Sequence, residues 1–109
     1  MYVELRTVST DATEALQSYI ERRLRFSLSR FGERVGRVSV TVSCDNAGTF
    51  TCRIHTEMMP FGAVSVRETD LDLFAAMDRA TGKLGRLFKK ELERAREIRN
   101  SRESVRLAA

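Results

Sequence analysis

Polar and apolar residues change their period along this chain, and each change marks an element. In "YVELRTV" Val3 and Leu5 fall on one side and Tyr2, Glu4 and Arg6 on the other, the two-residue repeat of a half-buried strand. The repeat lengthens through "TDATEALQSYIERRLRFSLSRFG", where Ala12, Leu16, Ile20, Leu24, Leu28 and Phe31 recur at near-helical spacing. Asp11 with Glu14 reads as a capping box at its start, and Gly32 as its stop. Alternation returns in "GRVSVTVSC", with Val38, Val40, Val42 and Cys44 on one face and Ser39, Thr41 and Ser43 on the other. It continues in "TFTCRIHTEM", where Phe50, Cys52 and Ile54 point inward and Thr51, Arg53 and His55 outward, after the turn signal "DNAG". Beyond the loop "MPFG" a shorter strand, "AVSVRE", turns Val64 and Val66 inward.

The last segment poses a choice. "TGKLGRLFKK", Thr81 to Lys90, contains Gly-x-x-Gly followed by basic residues, the spelling of a KH domain's backbone-clamping loop. However, Phe74, Met77, Thr81, Leu84, Phe88, Leu92, Ala95 and Ile98 recur at threes and fours straight through both glycines. A loop would break that register, so Gly82 and Gly85 are expected inside a helix, at a cost of about 1 kcal/mol each relative to alanine. The order is then strand, helix, three strands, helix. With a right-handed crossover from the first strand into an antiparallel meander, it predicts an α+β fold: a two-layer β-α-β-β-β-α sandwich, a four-stranded sheet with both helices packed on one face.

A chain of 109 residues bounds this to one domain, expected over residues 1–98, with residues 99–109 a short basic tail that frays or prolongs the last helix. "MYVELRTVST" has no apolar h-region, and no run approaches the roughly 20 apolar residues of a membrane span, so a soluble, cytoplasmic protein with no membrane partner is expected. The net charge of +4 is unevenly divided. Residues 1–75 hold nine Lys/Arg against ten Asp/Glu (9 − 10 = −1), and residues 76–109 hold ten against five (10 − 5 = +5). Such asymmetry points to an acidic partner, nucleic acid above all.

Helical geometry sharpens this. Arg79, Lys83, Arg86, Lys90 and Arg94 fall on the side of the last helix opposite its apolar stripe, a ridge about 22 Å long. The helix itself places no carboxylate on the ridge line from Arg79 to Lys90, as an ordinary solvated face would. Phosphate neutralisation is the chemistry that fits. Arg22, Arg23 and Arg25 of the first helix add to it, with Glu21 among them. A general module for structured RNA, acting by shape and phosphate contact, would use the same residues. An RRM-like mode is disfavoured, because the open sheet face carries Ser39, Thr41, Thr51, Arg53 and Ser65 where stacking aromatics would be needed.

Catalytic chemistry finds no footing. His55 is the only histidine and sits on an outward strand face, with no nucleophile and orienting acid to join it. Cys44 and Cys52 are expected opposite each other across the hairpin as buried free thiols, because a metal would need two further ligands and a cytoplasmic compartment disfavours a disulfide. No enzyme activity, cofactor, metal or small-molecule substrate is therefore expected. Met58, Met59 and Phe61 of "MMPFG" either fold over the end of the core or offer a contact patch.

Over residues 1 to about 98 the chain resembles the ribosome hibernation promoting factor and ribosome-associated inhibitor A family, also known as sigma-54 modulation proteins. The most specific part is "DLFAAMDRATGKLGRLFKKELER", similar to the family's second helix: an acid, an apolar-aromatic pair, a small pair, then Lys-Leu and spaced basic residues. "DATEALQSYIERRL" is similar to its first helix, and the strand order is the family's. The resemblance implies a translation inhibitor of stressed or stationary cells. It would lodge on the small (30S) ribosomal subunit, against rRNA near the mRNA/tRNA channel. Lys83, Arg86, Lys90 and Arg94 stand at the family's second-helix basic positions and Arg23 at a first-helix one, while Phe26-Ser27 stands where Lys-Leu is common. Long members add a C-terminal dimerisation domain that this chain stops short of, so a monomer off the ribosome is expected.

Overall fold

Each alternating run becomes a strand, and the two long-period runs become helices. The computed structural model describes residues 1–11 and 13–108; Ala12, expected at the head of the first apolar stripe, and Ala109 lie outside them. The elements are β1 (Tyr2–Val8), α1 (Glu14–Leu28), a 3-10 segment (Ser29–Arg34), β2 (Val35–Cys44), β3 (Phe50–Met58), β4 (Ala63–Asp70) and α2 (Leu73–Ala108). The strands form one sheet in the order β1-β2-β3-β4, β1 parallel to β2 and the other pairs antiparallel. The expected α+β sandwich is the observed fold.

The helix starts are set by side-chain caps. Thr13, not Asp11, caps α1: its hydroxyl accepts the Leu16 N–H at 3.1 Å. A threonine directly before the first helical residue reaches that N–H, whereas Asp11 lies two residues too far out for the capping box. At α2, Asp72 Oδ1 accepts the Phe74 N–H at 2.9 Å, and Asp70 Oδ1 accepts the Asp72 N–H at 2.8 Å. α1 ends before the predicted stop, at Leu28, because the chain tightens into the 3-10 segment around Gly32, whose φ of 55° favours glycine.

The core lies between one sheet face and the two helices. Leu16, Ile20, Leu24 and Leu28 of α1 meet Val38, Val40, Val42, Cys52, Ile54, Val64 and Val66 of the sheet and Met77, Leu84 and Phe88 of α2. Burying side chains of this size stabilises the fold by about 1.5–3 kcal/mol each, before conformational entropy is set against it. Phe31 stacks tilted on Phe88 with ring centroids 4.7 Å apart, sealing the core beside the 3-10 segment. Along α2 burial is complete at Phe88 and partial at Leu92, while Ala95 and Ile98, expected in the stripe, are exposed. The helix outruns the sheet it covers.

Two thiols sit differently from the expectation. Five residues, Asp45 to Thr49, connect β2 to β3, so Cys44 pairs with Phe50 and Cys52 with Val42. The sulfurs do not face each other. Both are free, Cys52 buried and Cys44 only half-buried.

Candidate nucleic-acid interface

The helix layer presents its outer side as a basic groove between α1 and α2. The two helices touch where α2 has no side chains: a Cβ on Gly85 would stand 3.1 Å from the Ser27 carbonyl oxygen and 3.4 Å from the Ser27 Cβ. Gly82 and Gly85 floor this groove. The Gly-x-x-Gly spelling thus serves helix-to-helix approach inside a continuous helix and forms no loop.

All five ridge residues of α2 are exposed, but they differ in what holds them. Arg79 reaches across to the edge strand β4, pairing with Asp70 at 2.7 Å and Glu68 at 3.7 Å and donating to the Thr69 carbonyl. Lys83 lies 3.6 Å from the other Glu68 oxygen. Carboxylates absent from the helix line are therefore supplied by β4 at its first two positions. Arg79 fastens α2 to the sheet, and its charge is already matched. The neighbouring acids raise its pKa, the Asp70 hydrogen bond most of all. Arg94 has only a 4.0 Å approach to Glu91 one turn away, an exposed pair worth little. Arg86 and Lys90 have no carboxylate within 4.0 Å among the described residues, nor does Lys89 beside them.

The first-helix arginines divide as well. Arg23 turns toward α2, with Nε 3.2 Å from Asp78 Oδ1 but out of line for a hydrogen bond, so that buried N–H has no partner. The same Asp78 oxygen accepts from Tyr19 at 2.5 Å, and this hydrogen bond pushes the phenol pKa above the ordinary tyrosine value. Tyr19 in turn meets Phe74 edge-on at 4.8 Å, which accounts for Phe74 staying half in solvent while still packed. Arg25 is exposed and two residues from Arg23, hence about 200° around α1 and turned from the groove.

Two contributors escaped the periodicity. Arg30, in the 3-10 segment, lies over the Phe31 ring at 4.8 Å and extends to the Gly85 carbonyl at 3.5 Å, beside Arg86. Phe26 is 82% exposed at the groove's rim, with Arg23 6.0 Å above its ring. Arg30 falls inside the repeat read from the sequence, but α1 ends at Leu28, and the 3-10 geometry from Ser29 onward, which the repeat does not foretell, sets where its side chain goes. Phe26 was legible only as a departure from Lys-Leu. The groove therefore gathers Arg23, Arg30 and Arg86 around an exposed aromatic, with Lys90 one helical turn beyond Arg86 on the ridge, a combination suited to phosphate and to a stacked base.

The chemistry of other candidates is slight. His55 is exposed and hydrogen-bonded through Nδ1 to Ser65 Oγ at 2.7 Å. Among the described residues no three His, Cys, Asp or Glu side chains gather to hold a metal, and no helix is long and apolar enough to cross a membrane.

Solved structures share this architecture, among them the following two. The N-terminal domain of Protein Y from Thermus thermophilus superposes with a TM-score of 0.73 at 28% identity, covering 83% of this chain and 98% of that one. A ribosomal subunit interface protein from Coxiella burnetii shares the fold with a TM-score of 0.74 at 14% identity, covering 85% of this chain and 99% of that one. No curated protein matches the chain. Residues 3–96, nearly the whole sandwich including both walls of the basic groove, match the family profile described as Sigma 54 modulation protein / S30EA ribosomal protein, and the chain belongs to that family.

Proposed function

We propose that this protein is a ribosome-associated translation inhibitor, a hibernation factor that binds the small subunit near the mRNA/tRNA channel under stress or in stationary phase. It acts without catalysis, by occupying space, and works in the cytoplasm. The observation that carries the reading is the pair Arg86 and Lys90, exposed on α2 and with no carboxylate within 4.0 Å among the described residues, in a chain of the S30EA family. Cations left unneutralised beside a groove favour a polyanion, and rRNA is the polyanion that the family's ribosomal character suggests. Lys83, Arg94, Arg23 and Arg30 widen the contact. Arg79 serves the reading indirectly by holding α2 in place, and Arg25 contributes general positive charge.

The test is sedimentation of purified small subunits with the protein, followed by translation in vitro. Wild type should co-sediment and inhibit. Arg86→Ala with Lys90→Ala should remain folded, since both side chains lie outside the core, yet lose affinity and inhibition together. The reading is lost if the double variant binds and inhibits like wild type. Equal binding to any structured RNA, without preference for the subunit, would identify a general RNA-binding module instead.

A further inference from the structure

The sheet register leaves a line of arginines on the face that no helix covers. Arg6 pairs with Thr41, Thr41 with Arg53 and Arg53 with Arg67, so one line across all four strands carries three guanidinium groups. All three arginines are exposed. Arg53 and Arg67 are direct neighbours on antiparallel strands, about 5 Å apart at Cβ. Arg6 stands two strands away from Arg53, roughly 10 Å.

Like charges placed directly opposite destabilise a sheet. The usual remedy is a carboxylate on an adjacent position, and α2 shows it: Arg79 has Asp70 and Glu68. On the open face the remedy is missing, because no carboxylate lies within 4.0 Å of Arg6, Arg53 or Arg67 among the described residues. The neighbouring line toward the β2–β3 turn, Val8, Ser43, Thr51 and Thr69, has no charge. The line on the other side, Glu4, Ser39, His55 and Ser65, has its one acid on β1, at the sheet edge farthest from Arg67. A groove of about 660 Å³ runs from Thr41, Arg53 and Arg67 to Lys83 and Leu87 of α2, joining the open face to the helix ridge around the β4 edge.

We propose that the open sheet face is a second seat for an RNA backbone, in which Arg6, Arg53 and Arg67 take the phosphates of a strand lying across the sheet. This rests on the RNA-binding reading above and adds a surface on the opposite side of the domain. Guanidinium forks match phosphate oxygens, and the flanking serine and threonine hydroxyls can donate to them. The arginine line and its two flanking lines hold no Phe, Tyr or Trp, and their one imidazole, His55, is tied to Ser65 Oγ at 2.7 Å, so the seat is built to hold a backbone rather than to stack bases. An acidic protein partner fits less well, since a protein interface is centred on a cluster of apolar and aromatic side chains, and these lines offer only Val8 on the edge strand and His55.

The test compares Arg53→Gln with Arg67→Gln, on the sheet, against Arg86→Gln with Lys90→Gln, on α2. Affinity for a fluorescent oligouridylate is measured by anisotropy across a salt series. Loss of two single-strand phosphate contacts should shrink the fall in affinity between 50 and 200 mM salt by about sevenfold. The sheet variant should show that flattening, alone and again in the α2-variant background, and should melt no lower than wild type because a like-charge pair has been removed. If the α2 variant weakens binding while the sheet variant keeps the wild-type slope, the second seat is refuted and the proposed function stands. If neither variant changes the slope, the RNA-binding reading fails with it. Displacement of oligouridylate from the α2 variant by polyglutamate at equal charge would assign the face to an acidic protein and overturn the proposal.

Discussion

Gly85 of α2 rests against the backbone of Ser27 in α1, with room for a hydrogen and no more: a Cβ would stand 3.1 Å from the Ser27 carbonyl oxygen. Gly82, one turn earlier, faces only the flexible end of Arg86, 3.6 Å from where its Cβ would be. The two glycines should therefore part company on substitution. Gly82→Ala should raise stability by up to about 1 kcal/mol through helix propensity. Gly85→Ala should lower it, because the obstacle is backbone and α1 must shift. Chemical denaturation of the two single variants checks this, and a gain from both would show that the helices do not approach as described.

Two buried threonines make a second contrast. Thr81 donates its hydroxyl to the Met77 carbonyl at 2.9 Å, while Thr56 Oγ1 has no partner among the described protein groups. Thr56→Val should stabilise by about 1–2 kcal/mol, since a desolvated hydroxyl is replaced by a methyl of similar shape. Thr81→Val should cost about 1 kcal/mol. Denaturant midpoints of opposite sign relative to wild type are the expected outcome.

Asp70 links pH to stability. The Asp72 N–H, and after it Arg79, hold its carboxyl below the ordinary aspartate range. A depressed folded pKa contributes stability that is fully present above the unfolded value and is lost as pH falls through the folded one. Asp70→Asn should thus lower the melting temperature at neutral pH, and the difference should close in acid below the folded pKa. A difference that persists unchanged there would assign the effect to packing.

The thiols should react in sequence. Burial pushes Cys52 up to about 12, so it holds almost no thiolate at neutral pH, whereas Cys44 is half-buried with its sulfur 3.6 Å from the Asp45 carbonyl. A thiol reagent should label Cys44 in the native protein and Cys52 only after unfolding, as peptide mapping would show. Their offset register predicts no disulfide on mild oxidation.

The elements were legible because this fold is written in clean periods. Alternation in β2 and β3 separates Val38, Val40, Val42 and Ile54 from Ser39, Thr41, Arg53 and His55, and the repeat through Gly82 and Gly85 identified a helix where the motif alone suggested a loop. What stayed hidden depends on register between segments distant in sequence. Nothing in the α2 sequence says that Glu68 and Asp70 will stand beside Arg79, and nothing in three separate strands says that Arg6, Arg53 and Arg67 will align. The capping of α1 was misread for a local reason: Asp11 and Thr13 are both good caps, and only the path of the chain chooses between them.

The overhang of α2 bears on how that helix is kept. A short helix alone in water is marginal, because starting one is costly while extending one is nearly free. Turns beyond Leu92 have few packed partners, and Ile98 is 48% exposed. Their helicity is inherited from the turns clamped over the sheet between Ala76 and Phe88, as zipped growth from a seed. Amide exchange should accordingly quicken turn by turn from Leu92 to Arg99, and any surface that covers the overhang would gain an already ordered lever, with less entropy left to lose on contact.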